Sequence, residues 1–175
     1  MPKKVGLDPS SLTGFPSYYR TDFTPLINFV MNLGAKREEA RDVAQEAMQA
    51  AVRAWPEIEY PHAFTRKVAE RVFLREVEKS RRIREAVLKD VDHHRTAGSP
   101  DVAAQQADGR FVLELLGLLA PEQCAIMAWT IDGYSPGEIA EMTGHKPATV
   151  RSQLRHARRR LGQELRNRKE ASDGP

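Results

Sequence analysis

The sequence predicts an all-α protein made of two small helical domains joined by a flexible linker. Three observations lead there. Apolar residues make up 41% of the 175-residue chain while aromatics are only 7%, so Ala, Leu and Val carry most of the hydrophobicity, as suits helical cores. Apolar positions recur at helical spacing through most of the chain. That periodicity lapses once, between Glu85 and Asp108, where Asp90, Asp92, His93, His94, Gly98, Ser99, Pro100, Asp101 and Asp108 have the composition of a polar linker.

Residues 1–16, rich in Pro, Gly and Ser, read as a flexible tail. A first helix is expected from Tyr18 to Leu33, with Phe23, Leu26, Ile27, Val30 and Leu33 in register and Gly34 as the stop. A second, Glu38 to Trp55, puts Ala40, Val43, Ala44, Ala47, Met48, Ala51, Val52 and Trp55 on one stripe, and Pro56 closes it. After the loop Glu57 to Tyr60, Pro61 suits a first helical turn, and Phe64, Val68, Ala69, Val72 and Phe73 continue a third helix into the basic stretch Lys79 to Arg84. These helices form a domain over 17–84, followed by a linker over 85–108.

The second domain is expected over 109–167, with a short tail at 168–175. It begins with a Leu-rich helix, Phe111 to Leu119. Pro121 starts the next, whose Cys124, Met127, Ala128 and Ile131 fall at i, i+3, i+4 and i+7 before Gly133. Ser135, Pro136 and Glu138 then offer a cap, a first-turn proline and a capping-box acid for a short helix burying Ile139, Ala140 and Met142. It breaks at Gly144. Pro147 opens a longer helix with Val150, Leu154, Ala157, Leu161 and Leu165 on one stripe. A short helix, a glycine turn and a longer basic helix make a helix-turn-helix.

The net charge is only +3, but its distribution is uneven. Lys146, Arg151, Arg155, Arg158, Arg159, Arg160, Arg166, Arg168 and Lys169 stand against the single acid Glu164, a cationic surface suited to phosphate. Arg151, Ser152 and Arg155 lie opposite the apolar stripe, where arginine's planar fork can bridge two acceptors on guanine and Thr149 or Ser152 can add a hydroxyl. A solvated basic face is the alternative for any such charge run.

Other classes are disfavoured. The lone Cys124 cannot form an internal disulfide and lies on an apolar stripe, as a structural thiol does. His62, His93, His94, His145 and His156 form no helical metal pair with a nearby carboxylate, so neither metal nor cofactor is expected, and neither is catalysis. No apolar run approaches the roughly 20 residues of a membrane span, so a cytoplasmic protein without membrane insertion or small-molecule substrate is expected.

In the second half, the stretches Leu119 to Gln123, Gly133 to Ala140, Thr149 to Leu154 and Ala157 to Leu161 together resemble region 4 of the extracytoplasmic-function sigma factors of bacterial RNA polymerase. The first half is similar to region 2 of that family in Asp42 to Ala47, in Arg53, Ala54 and Trp55, and in the Arg-rich end of the third helix. The resemblance implies an alternative sigma factor that binds core polymerase, through the clamp helices of the largest subunit and the flap of the second largest, and directs initiation at specific promoters. Region 4 would read the minus-35 duplex through Ser135, Lys146, Ala148, Thr149, Arg151, Ser152, Arg155, Arg158 and Arg159. Region 2 would capture the melted minus-10 strand through Trp55, Tyr60, His62, Arg66, Lys67, Arg71 and Arg75, cations and stacking surfaces being what an unstacked strand needs. Asp42, Gln45, Glu46 and Gln49 would face the polymerase clamp. The linker, with Asp90, Asp92, Asp101 and Asp108, would thread the enzyme's RNA channel, and an anti-sigma factor would be a further partner.

Two departures stand out. Glu70 and Arg71 follow Ala69 where family members often have Arg-Asn, which bears on promoter opening. Lys146 replaces a common helix cap worth about 1 kcal/mol, a loss that Pro147 partly offsets. The alternative function is a helix-turn-helix repressor or activator acting without polymerase, which would need a dimerisation or effector domain that residues 18–84 do not suggest.

Overall fold

A computed structural model describes residues 12–90 and 114–172, with side chains over 12–83 and 114–171. Asp92, Asp101 and Asp108 lie outside the described residues, as does the expected helix start at Phe111.

Helix α1 spans Phe15–Asn32. Gly14 precedes it at φ 88, a left-handed angle that glycine adopts without steric cost. At the other end the amides of Gly34 and Ala35 return to the carbonyls of Met31 and Val30, closing the last turn. Its buried residues are Tyr18, Asp22, Leu26, Phe29 and Val30, whereas Phe23 and Ile27, expected on the core stripe, are only partly covered. The face is rotated because α1 is packed from two sides, by α2 (Arg37–Ala54) and α3 (Pro61–Asp90) on one and by α4 (Pro121–Ile131) on the other.

Helix α2 buries Ala40, Val43, Ala44, Ala47, Met48 and Ala51, a face of four alanines with Val43 and Met48 that packs against α1 and α3. Glu38 and Glu39 complement the dipole in its first turn. A 3₁₀ turn at Trp55–Glu57 leads to α3, which buries Ala63, Thr65, Arg66, Val68, Ala69, Val72 and Phe73. Beyond Phe73 the helix leaves the core: Leu74, Val77 and Ile83 are exposed, and the helix runs on to Asp90, past the point where apolar periodicity fades. Arg81 and Arg82 both bond Glu78 there, at i+3 and i+4, local pairs that support the helix.

A helical turn at 114–116 precedes α4, where Pro121 occupies the first turn and Gln123 accepts the Ala120 amide at 3.3 Å. Helices α5 (Pro136–Thr143) and α6 (Pro147–Ser172) follow, separated by Gly144 at φ 74. Ile131, expected to be buried, is 55% exposed, while Ala125, Ile126 and Trp129 are buried instead. Two faces of α4 are used. Cys124 packs with Leu116, Leu119 and Ala157, and Trp129 reaches across to Phe29 of α1, ring centroids 5.1 Å apart and edge-to-face. One buried cluster therefore runs from the N-terminal helices into the C-terminal ones, with a smaller cluster of Leu116, Leu119, Cys124 and Ala157 beside it. Among the described residues no helix is long and apolar enough to cross a membrane.

Candidate nucleic-acid interface

The α5–α6 unit begins with a closed capping box. The Glu138 amide donates to Ser135 Oγ at 3.4 Å, and Glu138 Oε2 accepts from the Ser135 amide at 2.8 Å and its hydroxyl at 2.6 Å. These donors hold the Glu138 carboxyl below its ordinary range. Ile139 and Ala140 bury the inner face of α5, and Val150, Leu154 and Ala157 bury that of α6. With those positions pinned, helical geometry turns Lys146, Ala148, Thr149, Arg151, Arg155, Arg158 and Arg159 to solvent, with Ser152 half-covered at the edge. A shallow cleft of about 300 Å³ lies between the start of α5 and α6, lined by Thr130, Pro136, Arg151, Leu154, Arg155 and Arg158. On the other flank, Gln123, His156, Arg159, Arg160 and Gln163 line a more polar one. The arginines thus border both sides of α6, a charge layout that can follow a phosphate backbone while the first turns meet base edges.

On the N-terminal helices, Asp42, Gln45, Glu46 and Gln49 form an exposed polar face of α2. Tyr19 donates to Gln45 at 3.3 Å, and Arg75 to Glu46 at 3.1 Å. Trp55 is half-buried: its indole N–H donates to the Thr13 carbonyl at 2.9 Å, and Phe15 and Tyr18 pack on its ring. Tyr60 is exposed, and Lys67, Arg71 and Arg75 are exposed along α3. His62 is exposed with Nδ1 2.9 Å from Asp22 Oδ1.

Arg66 differs from its neighbours. Its side chain is 3% exposed, its guanidinium bonds Asp22 of α1, and it also donates through Nε to Asp132 Oδ2 at 2.8 Å and through a terminal nitrogen to Oδ1 at 3.4 Å. Burial works against this cation, but the hydrogen bonds and charges of the two carboxylates outweigh it and lift its pKa. Tyr18 donates to Asp22 at 2.6 Å and shares a 2.7 Å bond with Thr65, and burial together with Asp22 raises its phenol. Beside this network the Trp129 indole N–H donates to Glu70 Oε2 at 2.8 Å, so the acid that departs from the family pattern has a partner.

Asp22, Trp129 and Asp132 were absent from the residues expected to matter, and Glu70 stood out only as a departure bearing on promoter opening, not as a partner of Trp129. One signal was available for Asp22: it sits four residues before Leu26 and seven before Phe29, a carboxylate on an apolar stripe. Such a group needs a buried counter-charge. Nothing local pointed to Asp132.

Residues 112–161 match the family model of sigma-70 region 4. No curated protein matches the chain. Among solved structures, the chain is similar to the sigma factor RpoE from Bartonella quintana, described in complex with the anti-sigma factor NepR. The two share 21% identity and a TM-score of 0.68 over 87% of this chain and 96% of that one. It is also similar to CnrH in complex with the cytosolic domain of CnrY, at 19% identity and a TM-score of 0.63 over 94% and 95%.

Proposed function

We infer that this chain is an extracytoplasmic-function sigma factor, which joins core RNA polymerase and directs it to a particular set of promoters. The observation that carries this reading is the match to sigma-70 region 4, which falls on a capped helix-turn-helix whose second helix turns its arginines outward.

In this reading the first turns of α6 enter the major groove of the minus-35 duplex. Arg151 and Arg155 offer bidentate forks to guanine, Thr149 and Ser152 offer hydroxyls, and Lys146, Arg158 and Arg159 grip phosphates, with Ser135 and Ala148 against the backbone. Trp55, Tyr60, His62, Lys67, Arg71 and Arg75 serve the melted minus-10 strand, whereas Arg66, expected among them, is buried against Asp22 and Asp132. Asp42, Gln45, Glu46 and Gln49 meet the clamp helices, and region 4 meets the flap. The domains are those of the sequence reading, 17–84 and 109–167, joined over 85–108. The work is recognition without chemistry, done in the cytoplasm and at the nucleoid when polymerase-bound. Because RpoE is described with an anti-sigma factor, an equivalent inhibitor is a partner of this chain.

Transcription by purified core polymerase on a promoter library, with and without the protein, tests the reading. Protein-dependent, sequence-selective starts are expected. Specific duplex binding with no effect on core would overturn it in favour of a repressor.

A further inference from the structure

His62, in the first turn of α3, is exposed yet fastened at one end of its ring. Its side chain is 62% exposed, but Nδ1 lies 2.9 Å from Oδ1 of Asp22, whose own side chain is 3% exposed. The other carboxylate oxygen of Asp22 takes the Tyr18 hydroxyl at 2.6 Å and the Arg66 guanidinium, so this acceptor is held in place. The Tyr18 ring also meets the imidazole edge-on, with centroids 5.2 Å apart.

That fastening decides the chemistry of the other end. A carboxylate has no proton to give, so the bond requires Nδ1–H, and in the neutral ring Nε2 is left as a lone-pair acceptor. A fixed acceptor selects for donors. On the Watson–Crick edge of an unpaired base, adenine and cytosine present an exocyclic amine, whereas the only donor of thymine, N3–H, is flanked by two carbonyl oxygens that repel a further lone pair. The other groups that a single strand needs are close in the chain: Tyr60, 67% exposed, offers a ring for stacking, and Lys67 and Arg71 follow along α3 as exposed cations for phosphate.

We propose that His62 is a specificity-determining residue that reads an unpaired adenine or cytosine through Nε2 and disfavours thymine, with Asp22 as the positioning residue that fixes its tautomer. The proposal rests on the sigma-factor reading for the identity of the strand and names the class of base taken at that same site. Asp22 is buried and acts only through His62, by setting which ring nitrogen donates. In Asp22→Asn the amide oxygen stays with its two donors, the Tyr18 hydroxyl and the Arg66 guanidinium, so the amide N–H₂ faces Nδ1. Nδ1 then becomes the acceptor and the proton moves to Nε2. The free end of the ring turns into a donor, and its favoured partner becomes a carbonyl such as O4 of thymine.

The test measures initiation by core RNA polymerase with the full chain at about pH 8, above the usual imidazole range, on promoters with randomised minus-10 bases. The parent is expected to prefer adenine or cytosine over thymine at one position by roughly threefold to tenfold, the worth of one net hydrogen bond. His62→Phe, which keeps a ring at an exposed site, is expected to abolish that preference, and Asp22→Asn to invert it toward thymine. An unchanged base profile in His62→Phe would overturn the proposal and leave the sigma-factor reading intact, while an unchanged profile in Asp22→Asn would overturn the control by Asp22. Should Asp22→Asn lose helical circular dichroism, promoters carrying purine in place of adenine at that position, which lack only the amine, take its place. There the parent is expected to lose the same factor and His62→Phe to lose nothing, and an equal loss in both would overturn the contact. If neither parent nor variants initiate, the sigma-factor reading fails. Anisotropy of labelled single strands differing at one base then decides on His62, with the same ordering of bases expected and equal binding of all four overturning it.

Discussion

Arg151 stands exposed near the start of α6, between the anchoring Val150 and the half-covered Ser152. Since its side chain supports nothing in the core, Arg151→Ala is expected to leave thermal unfolding unchanged while weakening binding to a cognate duplex by about 1–3 kcal/mol if it makes a bidentate base contact. Fluorescence anisotropy on cognate and scrambled duplexes checks this, and an equal loss on both would assign Arg151 to phosphate. Its exposure was legible in the sequence, because a helix with its apolar stripe identified has only one direction left for the residues opposite. Arg66 was not legible in the same way. It lies three residues from both Ala63 and Ala69 on the buried side of α3, and whether such a cation is solvated or paired depends on acids from α1 and the end of α4. Sequence spacing within α3 contains no information about them.

At the scale of the element, α6 is held by few contacts for its length: Val150, Leu154 and Ala157 are buried, while Leu165, expected on the same stripe, is 44% exposed. Leu154→Ala is therefore expected to cost roughly 2–5 kcal/mol, measured by denaturant unfolding, and to impair duplex binding through loss of the α5–α6 unit rather than of a DNA contact. A loss below about 1 kcal/mol would mean that this helix does not rely on its buried stripe. The capped start of α5, the glycine turn and the opening of α6 at Pro147 were readable because each is a local device with its own residue signature. The rotation of α1 and the two-sided burial of α4 were harder to see. A hydrophobic period reports one face, and Phe29, Ile126 and Trp129 belong to a second face covered by another part of the chain.

For the whole molecule, Glu70 ties the N-terminal helices to the C-terminal ones by accepting the Trp129 indole N–H at 2.8 Å. Burial raises its carboxyl pKa, while the Trp129 bond and the charges of His145 and Lys67 pull it back down. A carboxyl raised in the folded state adds stability that is fully present below its unfolded-state pKa and is lost as pH rises through the raised value. Glu70→Gln keeps an acceptor for the indole N–H without the ionisable group, so its unfolding free energy is expected to rise relative to the parent's as pH climbs through that value. Denaturant unfolding at several pH values checks the sign, and a difference that falls with rising pH would refute it. Helix periodicity, caps and turns act over a few residues, so the helical class, the existence of most helices and the capped, arginine-faced helix-turn-helix were readable from the chain alone. That Asp22, Arg66 and Asp132 form one network and that Glu70 meets Trp129 emerged only from how the helices pack. Those residues lie 44 to 66 positions apart in pairs, and which distant charges meet is set by how packed helices orient their second faces.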